Sequence, residues 1–265
     1  MSNYATISQI GYDALGQVKR KELGKRRSCA SLYTNTPLET QDYDYNIRGW
    51  LLGVNRDYAR SKAYTDSTNT ATITTQTLSG EMFTESSMDI QSVTFPSHNY
   101  FGFDLGYDKT NNNLIGGKTY TAPQYNGNIT GMVWKDAHDS KVRKYDYTYD
   151  AASRLTGANF GQYTASNFTA TKVNYSVSGL TYDENGKIKK LVRSGLLTAG
   201  TSATIDNLAY TYQPGTNKLS AVTDAILNNA GEKLGDFQDG NTSGADYSYD
   251  ANGNMTIDKN KKITQ

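Results

Sequence analysis

The residues best spaced for chemistry in this sequence form an oxygen-rich loop near its C-terminal end. Asp239-Gly240-Asn241-Thr242-Ser243-Gly244 sets oxygen donors at the first, third and fifth places with glycine sixth, and Asp250 stands twelfth. That spacing imitates a calcium loop, in which alternating oxygens and a sharp glycine turn wrap a hard cation. Three features count against it. The flanks alternate like strands rather than helices, Asp246 stands eighth, and the closing ligand is aspartate where a bidentate glutamate is usual. An ordinary polar loop is the preferred reading of Asp239, Asn241, Ser243 and Asp250, so neither a metal nor another cofactor is expected. His98 and His138 lie far apart, with no cysteine or closely spaced carboxylate to complete a metal set. Cys29 is the single cysteine. It excludes an internal disulfide, and as a nucleophile it would need a histidine brought in from a distant segment. No glycine-rich phosphate loop and no nucleophile elbow stands out, and the chain is expected to be non-catalytic.

Most other recurring carboxylates belong to one repeated pattern: Tyr-Asp, two variable residues, Gly, a polar residue and an aliphatic one. It runs through Tyr12-Asp13-Ala14-Leu15-Gly16-Gln17-Val18, Tyr182-Asp183-Glu184-Asn185-Gly186-Lys187-Ile188 and Tyr249-Asp250-Ala251-Asn252-Gly253-Asn254-Met255. Close variants start at Tyr45, with Asn46 and Gly49, and at Tyr149, with Asp150 and Ser153. Looser ones start at Tyr107, Tyr125 and Tyr212.

Each position has a mechanical task. Aspartate opening a type I turn accepts a hydrogen bond from backbone two residues on, and glycine is favoured at the fourth place. There it takes positive φ without a Cβ penalty and forms the bulge that rejoins the strand. Tyrosine closes the incoming strand and the aliphatic residue opens the outgoing one. Alternation puts Tyr145, Tyr147 and Tyr149 on one face, and likewise Leu208, Tyr210 and Tyr212, and Tyr247 and Tyr249. The expected fold is all-β: successive antiparallel hairpins, with less than about a tenth helix. Residues 224–230 would make at most a turn or two of helix before Gly231, and a long hairpin loop fits them as well. The Ser/Thr-rich stretch 61–94 reads as an insertion of β character, or as a flexible surface loop.

Composition agrees with wet sheets. With tyrosine set aside and glycine counted, the apolar share is about 37%, below the usual ~45–50%. The 21 tyrosines each join a large apolar ring to a hydroxyl that seeks a polar partner. So many aromatics argue against disorder. A net charge of +1 gives no electrostatic reason to expect nucleic acid or an anionic membrane. The densest basic run, 19–27, therefore reads as a solvated strand and loop. No stretch approaches the ~18 apolar residues of a membrane helix, and no export signal is visible.

The motifs resemble the YD repeats of the bacterial RHS family. The likeness extends past the turn in three longer runs: Tyr43-Asp44-Tyr45-Asn46-Ile47-Arg48-Gly49-Trp50-Leu51, residues 125–134 and residues 247–256. Together they cover the chain from about residue 7 to its end, so 1–265 reads as one continuous repeat array. The resemblance implies a ribbon of β-sheet that spirals into a hollow shell around a C-terminal toxin. It also implies a secreted or cell-surface location and, as partners, further repeats, a core segment and the toxin of the same polypeptide. The family's Asp-Pro core motif and its catalytic aspartates have no counterpart here. YD repeats as a family are also linked to carbohydrate binding, which is the rival expectation. The outgoing segment after Met255 and the early turn at Tyr12 further suggest a piece of a longer polypeptide, with unpaired edges prone to self-association.

Overall fold

The computed structural model describes residues 7–25, 27–29, 32–33, 37–60, 70–73, 93–96, 99–108, 114–197, 200–226 and 235–264. His98, Gln265, most of the Ser/Thr-rich stretch and the end of the 224–230 segment lie outside them. The chain is almost entirely antiparallel β, with 51% strand and 4% helix. It divides into two compact units, Met1–Leu105 with Val133–Val142 and Gly106–Met132 with Arg143–Gln265.

In the first unit β1 (Ser8–Tyr12) and β2 (Val18–Leu23) form a hairpin, and a short pair follows, β3 (Arg27–Cys29) with β4 (Leu32–Tyr33). Next, β5 (Glu39–Tyr45) pairs with β2 on one side and with β6 (Leu51–Val54) on the other. Two cations of the basic run are paired within this sheet: Lys19 meets Asp44 at 3.0 Å and Arg20 meets Asp42 at 2.6 Å. A single helical turn, α1 (Arg56–Arg60), leads on, and the sequence pattern did not announce it. Its i and i+4 arginines both reach the buried Asp104, each at 2.7 Å. Within the 61–94 stretch and just beyond it, β7 (Thr70–Ile73) and β8 (Val93–Pro96) pair antiparallel. β9 (Phe101–Gly106) pairs with β6. Gly53 has no room for a side chain there, because a Cβ would stand 2.1 Å from the Phe103 carbonyl oxygen.

β10 (Gly131–Asp136) carries the chain between the units. The second unit then meanders through β11 (Arg143–Tyr149), β12 (Leu155–Thr164), β13 (Asn167–Thr169), β14 (Val177–Tyr182), β15 (Ile188–Leu196), β16 (Ser202–Tyr212) and β17 (Leu219–Asp224). Hydrogen bonding follows chain order, with β13 paired to β12, and the path does not return to its first strand. A separate three-stranded sheet holds β18 (Tyr247–Tyr249), β19 (Met255–Asp258) and β20 (Ile263–Thr264).

Alternation shapes the core. Leu208 is buried and Tyr210 and Tyr212 half-buried, while Ala209 and Thr211 between them are exposed. Leu208, Val222 and Tyr247 form a cluster against which Leu191, Tyr210, Leu219, Phe237 and Tyr249 pack. Each fully buried aliphatic or aromatic side chain of this kind contributes about 1.5–3 kcal/mol. One bulge breaks the alternation. Arg193 pairs with Asp206 but Ser194 pairs with Thr204, so Ile205 is extra, and Ile205 and Asp206 are buried in succession. Charged groups also enter the interior: Lys135, Asp206 and Asp246 are all fully buried.

Candidate functional site

The repeated turns share one geometry. In the Tyr149 copy, Asp150 N–H donates to the Arg154 carbonyl at 2.9 Å and Ser153 N–H to the Asp150 carbonyl at 3.0 Å. The Asp150 carboxylate, through one oxygen, accepts N–H from Ala152 and Arg154, both at 2.9 Å. The Tyr12, Tyr182 and Tyr249 copies repeat these bonds through Asp13, Asp183 and Asp250, and the Tyr45 copy repeats them through the Asn46 side-chain oxygen. Gly16, Gly49, Gly186 and Gly253 hold φ between 77° and 88°, and Ser153 holds 59°. A second bulge lies just beyond each turn. Tyr149 pairs with Leu155 but Thr148 pairs with Gly157, and the same shift recurs at Tyr12, Tyr45, Tyr182, Tyr212 and Tyr249. Paired bulges of this kind raise the local right-handed twist.

In the second unit these turns lock onto one another. Four repeat tyrosines each donate their hydroxyl to the carbonyl of the aliphatic residue that follows the turn of the preceding copy. Tyr149 reaches Ile129 at 2.7 Å, Tyr182 reaches Leu155 at 2.6 Å, Tyr212 reaches Ile188 at 2.9 Å and Tyr249 reaches Leu219 at 3.0 Å. A cation reinforces each of the last three steps. Arg154, Lys187 and Lys218 sit 4.8, 5.2 and 5.5 Å from the ring centres of Tyr182, Tyr212 and Tyr249. Arg154 also donates to the Asp183 carbonyl at 3.0 Å, and Lys187 to the Thr216 carbonyl at 2.7 Å.

Sequence reasoning missed this ladder. Its signal was a basic residue at the polar position of three consecutive copies, each followed 25 to 31 residues later by the next tyrosine. Tyr125 departs from the pattern: it is 74% exposed and closes no strand, although Ile129 of its copy still serves as an acceptor.

Each turn sets the electrostatics of its own carboxylate. Hydrogen bonds hold three carboxyls below the usual carboxylate range, led by the N–H of Arg154 for Asp150 and of Lys187 for Asp183. For Asp250 the Asn254 side-chain amide leads. Burial raises the Tyr149 and Tyr212 hydroxyls, since the ionised form is disfavoured away from water. The sequence matches no family model and no curated protein.

The other candidate residues fall as follows. Asp239 and Asn241 lie close together, and the Asn241 side-chain amide donates to the Ser243 carbonyl at 2.9 Å and to Asp246 at 2.7 Å. Asp250 spends its carboxylate in its own turn. His138 is exposed on a turn closed by Asp136. Cys29 lies in β3.

A pocket of about 300 Å³ opens in the second unit, lined in part by Lys144, Asp146, Asn159, Phe160, Asn167 and Phe168. Lys144 pairs with Asp146 at 2.6 Å and stands 5.1 Å from the centre of the Phe168 ring. Beneath it an aromatic chain runs from Tyr147 through Tyr145 and Phe160 to Tyr175, with centre distances of 6.0, 5.5 and 5.3 Å.

Proposed function

We propose that this chain is a non-catalytic wall segment of an RHS-type shell that encloses a toxin encoded in the same polypeptide. The observation that carries the reading is the tyrosine ladder. The turn carboxylates are spent on their own turns and the tyrosine hydroxyls on the neighbouring copy, which is what a repeat built to extend a wall requires, whereas a catalytic turn would hold a carboxylate or hydroxyl toward a substrate. The motif resemblance to YD repeats supplies the shell and its cargo. Electron microscopy of the full gene product is the direct test: a hollow particle with this segment in its wall is expected, and a solid or open particle would overturn the reading.

One observation favours a second reading, a surface carbohydrate-binding module. The 300 Å³ pocket combines the Phe168 ring with Asn159, Asn167, Asp146 and Lys144, the mixture of a flat apolar face and amide or charged groups that holds a sugar ring. A glycan array separates the two. The wall reading expects no saturable binding, whereas saturable binding lost on Phe168→Ala would favour the module.

A further inference from the structure

Three carboxylates gather away from the tyrosine ladder. Asp206 on β16, Asp224 at the end of β17 and Asp236 in the segment that follows each place an oxygen within 4.8 Å of one from both others. Asp206 is wholly buried, and Asp224 is 7% exposed. Arg193 meets one of them, Asp206. Its Nε and Nη2 lie 2.6 and 2.5 Å from Asp206 Oδ2, and Nη2 also donates to the Gly235 carbonyl. Asp206 Oδ1 accepts the Phe237 N–H at 2.8 Å. Asp224 Oδ1 accepts N–H from Asn207 at 2.8 Å and Ile226 at 2.9 Å, and Asp236 Oδ2 accepts the Gln238 amide at 2.8 Å.

Asp224 Oδ2 stands apart from these bonds. It is buried and has no hydrogen-bond partner. An orphaned carboxylate oxygen in the interior is costly and calls for a ligand. A bare carboxylate oxygen gathered with two further carboxylates is satisfied by a positively charged ligand.

We propose that Asp206, Asp224 and Asp236 bind a divalent cation, and that the cation is Ca²⁺. All the donors are hard oxygens, which suit Ca²⁺ or Mg²⁺ rather than soft metals. Oxygens facing each other across Ca²⁺ stand about 4.6–5.2 Å apart, against about 4.2 Å across Mg²⁺. Separations of up to 4.8 Å lie within the reach of the larger ion. Bound there, the ion ties the segment that begins at Gly235 to β16 and β17. This site is distinct from the Asp239–Asp250 loop, since Asp250 is committed to its turn.

Calorimetric titration of the chelator-treated full chain with CaCl₂ tests the proposal, with thermal unfolding as a second readout. One saturable site per chain is expected, together with an unfolding midpoint that rises with Ca²⁺ and rises less with equal Mg²⁺. Asp224→Asn and, separately, Asp236→Asn should each weaken Ca²⁺ binding at least about tenfold, the size of effect expected when a charged ligand is lost. Asp250→Asn should leave it unchanged, since asparagine closes the equivalent Tyr45 turn. If Asp224→Asn does not fold, Asp236→Asn on its half-exposed segment decides the matter. No saturable binding at millimolar Ca²⁺, or binding that every folded variant retains, overturns the proposal. So does a midpoint that rises on mild acidification and not with Ca²⁺, which would assign the cluster to a shared proton.

Discussion

In the first unit the turns after Tyr12 and Tyr45 close on Asp13 and Asn46 with the same bonds that close the turns of Asp150, Asp183 and Asp250 in the second. What surrounds them differs. Tyr12 is 62% exposed, and among the described residues neither Tyr12 nor Tyr45 makes a ladder bond to a neighbouring carbonyl. At the position of Arg154, Lys187 and Lys218 these copies carry Gln17 and Trp50. The cation nearest Trp50 is Arg48 of the same turn, 5.1 Å from the ring. The turn is thus a local device that folds on its own residues. The interlock is a second layer: it needs a tyrosine hydroxyl placed one repeat on, and at Tyr182, Tyr212 and Tyr249 a basic side chain of the preceding copy reinforces it.

The largest effect should come from the layer that both units share. Gly186→Val forces a β-branched residue into positive φ and should cost roughly 1–3 kcal/mol. Gly16→Val should cost its own hairpin the same, because the φ values match at 83° and 79° and a Cβ meets nothing within 4 Å at either site. Glu184→Val, at a variable position, should cost far less. Denaturant unfolding in which Gly186→Val and Glu184→Val behave alike would break the turn assignment itself.

The second layer should show a smaller and one-sided effect. Removing the hydroxyl in Tyr149→Phe or Tyr182→Phe deletes a hydrogen bond of about 0.5–1.5 kcal/mol. Tyr12→Phe should fall within measurement error. Equal losses at Tyr12 and Tyr182 would erase the distinction between the units.

The smallest effect is a pH dependence. The Asp150, Asp183 and Asp250 carboxyls titrate below their ordinary value of 3.8 in the folded chain. A depressed folded value means that their contribution is complete above the unfolded value, near pH 4, and is lost as pH falls through the folded one. Asn46 does not ionise. On acidification below about pH 4, amide signals of Arg154, Lys187 and Asn254 should therefore move while those of Arg48 and Trp50 hold. Movement of all five together would point to global unfolding instead of local titration.

Much of the fold could be read from residue types because the turn is local. Asp183, Gly186 and the tyrosine before them announce a hairpin within seven residues, and alternation from Leu208 to Tyr212 announces the buried face. The ladder was harder to read because each bond ends on a main-chain carbonyl, which has no residue type of its own. The carboxylate cluster was invisible for another reason. Asp206 reaches the interior only through the bulge at Ile205, and no period of two predicts that shift. The short helix at Arg56–Arg60 is explained by a partner, Asp104, more than forty residues away.

The ladder's choice of acceptor also bears on how such chains change over generations. A tyrosine that grips a side chain would bind its repeat to one particular neighbour, and loss of that neighbour would need a second mutation to repair. A tyrosine that grips a main-chain carbonyl accepts any neighbour that supplies a strand at the right height. Whole copies can then be duplicated, deleted or exchanged in register without rewriting the rest, and the length of the array becomes a quantity that recombination alone can adjust.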